Sequence, residues 1–343
     1  MHGFGMGLGQ VGLRCWGTPA AVVVGGGRVR GGCGVGSPMS PSTSQQGGPG
    51  APSGVVVQTR SRRRGASLTP CAATEGVRER MDRLRSSKEC ALVPFLVAGD
   101  PGLDATRAAL LAIDGGGADV IELGVPYSDP LADGPVIQEA ATRALAAGCT
   151  LDKVLAMCAE TVPGMDAPVV LFTYYNPIMA RGVDTFMAQV AASGVKGLVV
   201  PDIPLEESEL IRVASAKAGL ELVMLVTPTT PVERMAAIAE VSEGFVYLVS
   251  VAGVTGARSE VSAKVPELLK QLKSQTDKPV AVGFGVARPD QAQQLRSWGA
   301  DGVIVGSAVV RKMEEARDLH GDDVAGVAKH VGDYIKSMKE ALA

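Results

Sequence analysis

The sequence predicts one α/β catalytic domain over residues 74–343, a closed (β/α)8 TIM barrel with an extra N-terminal helix. From residue 91 onward, short apolar runs alternate with helix-like segments about every 25 to 30 residues, which is typical of repeated βα units and a parallel sheet. Eight such units in about 260 residues match the size of one barrel. Glycine-containing turns suited to phosphate follow the last two strands. This favours the barrel over a doubly wound open sheet, which would place such a turn after the first strand.

The eight predicted strands are continuous apolar runs, as expected where both faces of a parallel strand are covered. They span residues 91–98, 119–123, 168–173, 197–200, 221–226, 244–249, 279–282 and 302–305. Several predicted helices begin at proline or an acidic residue and end in glycine. They span residues 106–114, 151–160, 183–192, 206–218, 231–240, 266–273 and 289–298, with a C-terminal pair reaching residue 339. The charge pattern of residues 74–86 predicts the extra helix before the first strand.

Residues 1–73 are interpreted as an organelle transit peptide. The first 74 residues contain seven arginines, no lysine and no acidic residue, and they hold 18 of the 43 glycines. Such a segment buries too little apolar surface to offset the entropy of ordering, and an acid-free, arginine-bearing, serine-containing terminus is typical of import signals. The lack of an obvious amphipathic helix favours the chloroplast over the mitochondrion. A disordered tail without a targeting role stays an alternative.

The charge of the remaining chain bears on its partners. Seven of the 33 basic residues lie in 1–74, so 26 remain against all 36 acidic residues, a net charge of about −10. This acidity argues against a nucleic-acid partner. No run approaches the 18 apolar residues that would indicate a membrane span.

The histidines and cysteines exclude two kinds of site. The three histidines, His2, His320 and His330, lie outside the predicted strands and their loops, which excludes histidine-based triads and histidine metal sites. The cysteines after residue 74 form no Cys-x-x-Cys pair and have no nearby histidine, so no zinc site is expected. Carboxylates must therefore carry any proton transfer.

Glu122 is the sharpest candidate for that role. The two-residue period of a strand places it on the same face as Val120, with Ile121 on the other face. If that face is the barrel interior, partial desolvation raises the pKa of Glu122 and suits it to proton transfer near neutral pH. A glutamate that reaches solvent or a lysine from the strand end is the alternative.

The segment after the second predicted strand, residues 124–135, is unusually long and rich in proline and aspartate. Asp before Pro or Gly is common in any turn, but long loops at the C-terminal end of a barrel also carry functional side chains. Asp133 or Asp129 would supply a second carboxylate there. Two carboxylates in different environments can divide acid and base work.

The turns after the last two strands indicate a phosphorylated small molecule as ligand. Gly283 and Gly285 flank Phe284 after strand seven, and Gly306 precedes Ser307 after strand eight. Backbone N–H groups at such turns, together with a helix N-terminus, bind anions. Residues 252–259 after strand six are glycine-flanked and are expected to close over the site.

These motifs together resemble the tryptophan synthase α chain family. The run Glu122-Leu123-Gly124-Val125-Pro126-Tyr127-Ser128-Asp129-Pro130-Leu131-Ala132-Asp133-Gly134-Pro135 is similar to the family's signature. Four further motifs match in the same order, namely Gly99-Asp100-Pro101-Gly102, Gly253-Val254-Thr255-Gly256, Gly283-Phe284-Gly285 and Gly306-Ser307-Ala308. The resemblance covers roughly residues 74–312.

The resemblance implies a carbon–carbon lyase that cleaves indole-3-glycerol phosphate to indole and glyceraldehyde 3-phosphate in tryptophan biosynthesis. It implies that Glu122 is the acid–base residue and that Asp133 binds the indole N–H, with Thr255 orienting it. The implied substrate contacts are Tyr247 and Phe284, and the implied phosphate ligands are Gly256, Gly283, Gly285, Gly306 and Ser307. It implies no cofactor and no metal in this chain.

The resemblance also implies a partner. The barrel face that bears the site would dock on a tryptophan synthase β chain, which holds pyridoxal phosphate, in an α2β2 heterotetramer, with Asp129 and Asn176 in the contact. Val251 stands where bacterial members commonly have a basic residue, and the N-terminal extension is absent from them. A stand-alone indole-releasing lyase with the same chemistry and a non-catalytic regulator of the β chain are the alternative functions.

Overall fold

The structure, a computed structural model, describes residues 75–250, 264–283 and 285–343. Eight parallel strands pair in sequence order, and β1 pairs with β8, so the sheet closes and the predicted (β/α)8 barrel is confirmed. The strands are β1 Ala91–Val97, β2 Ile121–Gly124, β3 Val169–Phe172, β4 Gly197–Val199, β5 Glu221–Val226, β6 Val246–Val249, β7 Val280–Gly283 and β8 Gly302–Val305. The predicted transit segment 1–73 lies outside the described residues.

Twelve α-helices surround or follow the strands in the described part of the chain. They are α1 Val77–Ser86, α2 Leu103–Gly115, α3 Pro135–Ala146, α4 Leu151–Thr161, α5 Tyr175–Arg181, α6 Val183–Ala192, α7 Glu209–Lys217, α8 Val232–Val241, α9 Val265–Lys273, α10 Pro289–Ser297, α11 Ser307–His320 and α12 Val324–Glu340. None of these helices is long and apolar enough to cross a membrane. Two of them, α3 and α5, had not been anticipated from the sequence.

Small differences from the predicted strand bounds have physical causes. β2 begins at Ile121 rather than Asp119, and the Asp119 carboxylate accepts a hydrogen bond from the backbone N–H of Leu92 at 2.7 Å. β6 begins at Val246 because Gly244 has a φ of 65°, which is incompatible with a strand. Helix α7 begins at Glu209 since Leu205–Glu207 forms a separate 3-10 turn.

The barrel interior is apolar and is closed at its N-terminal end by α1. Interior residues from most of the strands form one cluster with three residues of α1, Val77, Met81 and Leu84. The Cε atom of Met81 lies 3.2 Å from where a Cβ on Gly302 would stand, at the start of β8. The predicted N-terminal helix α1 therefore covers the N-terminal end of the barrel, which we call its floor. The candidate site residues follow the C-terminal ends of the strands, at the opposite end.

Candidate active site

Glu122 lies inside the barrel near the C-terminal end of β2. Its neighbours in the sheet are Phe95 of β1 and Val170 of β3. Val120, two residues earlier, belongs to the interior apolar cluster, so the expected inward orientation of this face is confirmed. The residue is 1% exposed, which excludes the alternative of a glutamate that reaches solvent.

The environment of Glu122 favours its neutral form. Its Oε1 atom is buried and has no hydrogen-bond partner among the described residues. Burial raises the pKa of Glu122 to about 8. A carboxyl group that holds its proton at neutral pH can donate it to a bound molecule and take one back, as a general acid–base group must.

Asp133 is the second buried carboxylate, in the segment between β2 and α3. The hydroxyl of Tyr174 donates to its Oδ2 atom at 2.9 Å, and the backbone N–H of Ala132 donates to the Tyr174 oxygen at 3.1 Å. Burial raises the pKa of Asp133 to about 6, against the opposing effect of the Tyr174 hydrogen bond. Asp129, the other candidate of this loop, is exposed, so of the two only Asp133 belongs to the buried site.

Tyr174 is a further site residue, to which the sequence analysis assigns no role. It lies two positions after the end of β3, 41 positions from Asp133 in the sequence, and is 3% exposed. No local pattern predicts a hydrogen bond across that separation. Its position at the C-terminal end of a strand was the only signal in the sequence.

Tyr247 points into the same interior from β6. It is 5% exposed, and burial, followed by the charges of Glu122 and Asp133, raises its pKa well above the ordinary value. The Tyr247 ring fits here because Gly283 has no side chain: a Cβ on residue 283 would stand 2.6 Å from the Tyr247 hydroxyl oxygen. The phenol of Tyr247 is thus close enough to both carboxyl groups to be affected by their charge, and it is kept as a neutral hydroxyl.

The predicted phosphate residues lie at the ends of the adjacent strands β7 and β8. Gly285 follows β7 with a φ of 87°, and Gly306 is the N-cap of α11, whose first residue is Ser307. The first N–H groups of a helix have no acceptor within it, and the helix dipole favours an anion there. The start of α11 at the end of β8 therefore has the backbone geometry that favours an anion.

Some of the predicted site residues lie outside the described ranges, and others lie on the surface. Thr255, Gly256 and Phe284 belong to the first group, together with the predicted closing loop 252–259 and Val251. Asn176 is exposed at the start of α5 and donates from Nδ2 to the Tyr127 hydroxyl at 3.1 Å. The rings of Tyr127 and Tyr174 lie 5.1 Å apart between their centroids, so three successive contacts link Asn176 to Asp133 through Tyr127 and Tyr174. Within the described ranges, no group of three or more metal-ligating side chains occurs.

Comparison with known proteins points to one family. The sequence model described as tryptophan synthase alpha chain matches residues 81–342. The tryptophan synthase alpha chain of a Picosynechococcus species is 57% identical over 78% of this chain and 99% of its own. The Synechocystis protein of the same description is 58% identical over 69% and 90% of the two chains. A chain in the structure of the tryptophan synthase complex of Pyrococcus furiosus is 38% identical, with a TM-score of 0.66 over 73% of this chain and 98% of that one.

Proposed function

Since the chain belongs to the tryptophan synthase α chain family, which cleaves indole-3-glycerol phosphate to indole and glyceraldehyde 3-phosphate, we propose that Glu122 and Asp133 carry this reaction. The observation that carries the proposal is the burial of Glu122 in the barrel interior with Oε1 lacking a partner among the described residues. A buried carboxyl group of this kind costs stability that structure alone does not require.

Glu122 would act first as acid and then as base. Its proton goes to C3 of the indole ring, which takes up positive charge. The resulting carboxylate accepts the proton of the neighbouring glycerol hydroxyl as the carbon–carbon bond breaks. The bonding electrons return to the ring, which leaves as indole, and the hydroxyl carbon becomes the aldehyde of glyceraldehyde 3-phosphate. Glu122 ends protonated, so the cycle needs no other reactant and no cofactor in this chain.

Asp133 would bind the indole N–H and stabilise the positive charge on the ring. Its pKa of about 6 leaves it ionised near neutral pH, when Glu122 still holds its proton. Tyr174 fixes the orientation of this carboxylate through its hydroxyl. Thr255, Tyr247 and Phe284 would complete the indole pocket, and Gly256, Gly283, Gly285, Gly306 and Ser307 would hold the phosphate through backbone N–H groups.

The test is indole release from indole-3-glycerol phosphate by protein that begins at Thr74. Glu122→Gln and Asp133→Asn should each lower kcat by about 100-fold to 10,000-fold, the usual effect of losing a positioned acid–base group. Glu139→Gln, at an exposed position on α3, is the matched control and should keep the parent rate. Parent-like rates in Glu122→Gln would refute the assignment.

A tryptophan synthase β chain is the proposed partner, docked on the C-terminal face of the barrel in an α2β2 assembly, with pyridoxal phosphate held by the β chain. Leu131 is 77% exposed and Met179 is 43% exposed on this face, near the exposed Asp129 and Asn176. Exposed apolar side chains rimmed by polar ones are typical of protein contacts. The solved Pyrococcus furiosus relative is a tryptophan synthase complex, which supports the proposal.

Adding purified β chain separates this assignment from the stand-alone lyase. A large rise in indole release supports the synthase subunit, and Leu131→Asp should abolish the rise without changing the rate of the isolated chain. An isolated chain that is already fully active and does not respond to the β chain would contradict the docking proposal. A chain that only activates the β chain and never releases indole would be the regulator instead.

Import into the chloroplast is proposed for residues 1–73. The acid-free composition of this segment and the cyanobacterial origin of the similar alpha chains support it. A fusion of residues 1–73 to a fluorescent protein should accumulate in plastids, whereas a fusion in which its seven arginines are replaced by glutamine should not. Cytosolic fluorescence from the unaltered fusion would contradict the proposal.

A further inference from the structure

The turn that follows β7 is held from two sides by side chains of the helices α10 and α12. The backbone N–H of Ala287 donates to Oε1 of Gln291, in the first turn of α10, at 2.8 Å. The carbonyl oxygen of the same residue accepts from the hydroxyl of Tyr334, on α12, at 3.0 Å. The N–H of Arg288 donates to the same Gln291 oxygen at 3.1 Å. Both polar groups of one backbone position are therefore fixed by side chains.

The other end of this turn is fixed by the sheet. Gly283 is the last residue of β7 and pairs with Val249 of β6, and its carbonyl oxygen accepts from the N–H of Ser250 at 3.0 Å. Gly285, with its φ of 87°, lies two positions after Gly283 and two before Ala287. Gly285 therefore lies between two fixed backbone positions. Gly283 is held by the sheet, and Ala287 is held by Gln291 and Tyr334, so these contacts restrict the orientation of the Gly285 N–H.

These contacts are partly shielded from water. Gln291 is 2% exposed, so its amide oxygen has little water to exchange with. Burial also raises the pKa of Tyr334 above its ordinary value, which keeps its hydroxyl protonated as a donor. Hydrogen bonds in a low-dielectric interior are stronger than in water, and a buried partner left without one is costly.

We propose that Gln291 and Tyr334 are positioning residues that set the affinity for the substrate's phosphate group by holding the Ala287 backbone and, through it, the Gly285 amide. The inference rests on the phosphate site proposed above. Neither side chain belongs to the carboxylate pair, so their loss should weaken phosphate binding and leave the chemical step almost unchanged. This separation of KM from kcat distinguishes positioning from catalysis.

The experiment compares Gln291→Met and Tyr334→Phe with the parent in the full barrel. We expect KM for indole-3-glycerol phosphate and the inhibition constant of glycerol 3-phosphate, which carries a phosphate without an indole ring, to rise together by about threefold to tenfold. In both variants kcat should differ from the parent value by less than about twofold. Gln293→Met, at an exposed position on the same helix, is the matched control and should keep the parent affinity.

Three results decide the matter against the inference. Unchanged phosphate affinity in both variants overturns it, because the turn then needs neither contact. Equal weakening of glycerol 3-phosphate and of indole binding also overturns it, since that indicates general loosening of the barrel. If the parent releases indole but does not bind glycerol 3-phosphate, the phosphate site is misplaced. If the parent releases no indole, the proposed function itself has failed.

Discussion

Two buried carboxyl groups near one end of the barrel differ in how far their surroundings raise the pKa. Glu122 has a pKa of about 8 from burial alone, whereas the Tyr174 hydroxyl limits the pKa of Asp133 to about 6. Between these values one group carries a proton and the other carries a charge. Proton donation to the ring and stabilisation of the ring cation call for that combination.

The first prediction concerns activity against pH. We expect kcat/KM to rise as Asp133 ionises near pH 6 and to fall as Glu122 loses its proton near pH 8. In Asp133→Asn the residual activity should lose the acidic limb and keep the alkaline one. Indole release measured from pH 5 to pH 9 checks both limbs, and a profile without an alkaline limb would refute the role of Glu122 as the initial acid.

The second prediction concerns stability against pH. The pKa of Glu122 is raised in the folded state above the ordinary glutamate value of 4.5, so its favourable contribution to stability is complete below about pH 4.5 and is lost as pH rises through about 8. Glu122→Gln carries no such titration. The free energy of unfolding of the variant minus that of the parent should therefore increase from pH 5 to pH 8, by at most about 1.4 kcal/mol per pH unit.

Urea denaturation of the two proteins at several pH values measures this difference directly. Asp133 is present in both, so its own titration cancels. A difference that stays constant from pH 5 to pH 8 would show that Glu122 is ionised in the folded protein throughout.

At the scale of elements, α3 and α11 are joined above the end of β1 by Arg143. From α3 it donates through Nε and one terminal nitrogen to the two carboxylate oxygens of Asp100 at 3.0 and 2.7 Å, and through the other to Glu314 of α11 at 3.1 Å. Helix α3 follows the segment that bears Asp133, and α11 begins at Ser307. One guanidinium group therefore connects the carboxylate side of the site with its anion side.

The third prediction is that Arg143→Met lowers the free energy of unfolding by about 2–3 kcal/mol, because it leaves the carboxylate of Asp100 buried without its charged donor. Arg143→Lys should recover only part, since lysine does not reproduce the two-point geometry. Adding Asp100→Asn to Arg143→Met should cost less than the sum of the single changes. If Arg143→Met changes the free energy of unfolding by less than about 0.5 kcal/mol, the contact does not stabilise the fold.

The elements show where sequence reasoning succeeds and where it stops. Strand order and the inward face of β2 followed from apolar runs and a two-residue period, which are local patterns. Helix α5 was missed because it opens with Tyr-Asn-Pro, a turn signal, although proline is tolerated in a first helical turn. The Asp202 carboxylate accepts from the N–H of Tyr175 at that helix start, a contact 27 positions away that no local pattern contains.

The same limit applies to the site. Glu122 and the Gly306–Ser307 turn could be proposed from their positions at strand ends. Tyr174, Gln291 and Tyr334 act through hydrogen bonds to residues that are 41, 4 and 47 positions away. Only the Gln291 contact is short-range, and a helix-start pattern could have indicated it: glutamine in the first turn facing the N-cap backbone.

At the scale of the whole molecule, the barrel has one closed end and one functional end. The fourth prediction is that Met81→Ala, in the floor formed by α1, lowers the free energy of unfolding by about 2–4 kcal/mol through loss of buried contacts. Its KM and kcat should stay at parent values because the site lies at the opposite end. Glu79→Ala, at an exposed position on the same helix, is the control, and a shift in KM for Met81→Ala would contradict the separation of the two ends.

Closure of the sheet by the pairing of β1 with β8 has a consequence for the time course of protein synthesis. The partner of Ala91 is Gly302, so the outer edge of β1 stays unpaired until a residue 211 positions later in the chain has been synthesised. At about 5–20 residues per second, this interval is on the order of 10 to 40 seconds. Throughout it the first strand, which is wholly apolar, lacks its β8 neighbour, and such an unpaired edge is open to association with other chains until β8 has been synthesised.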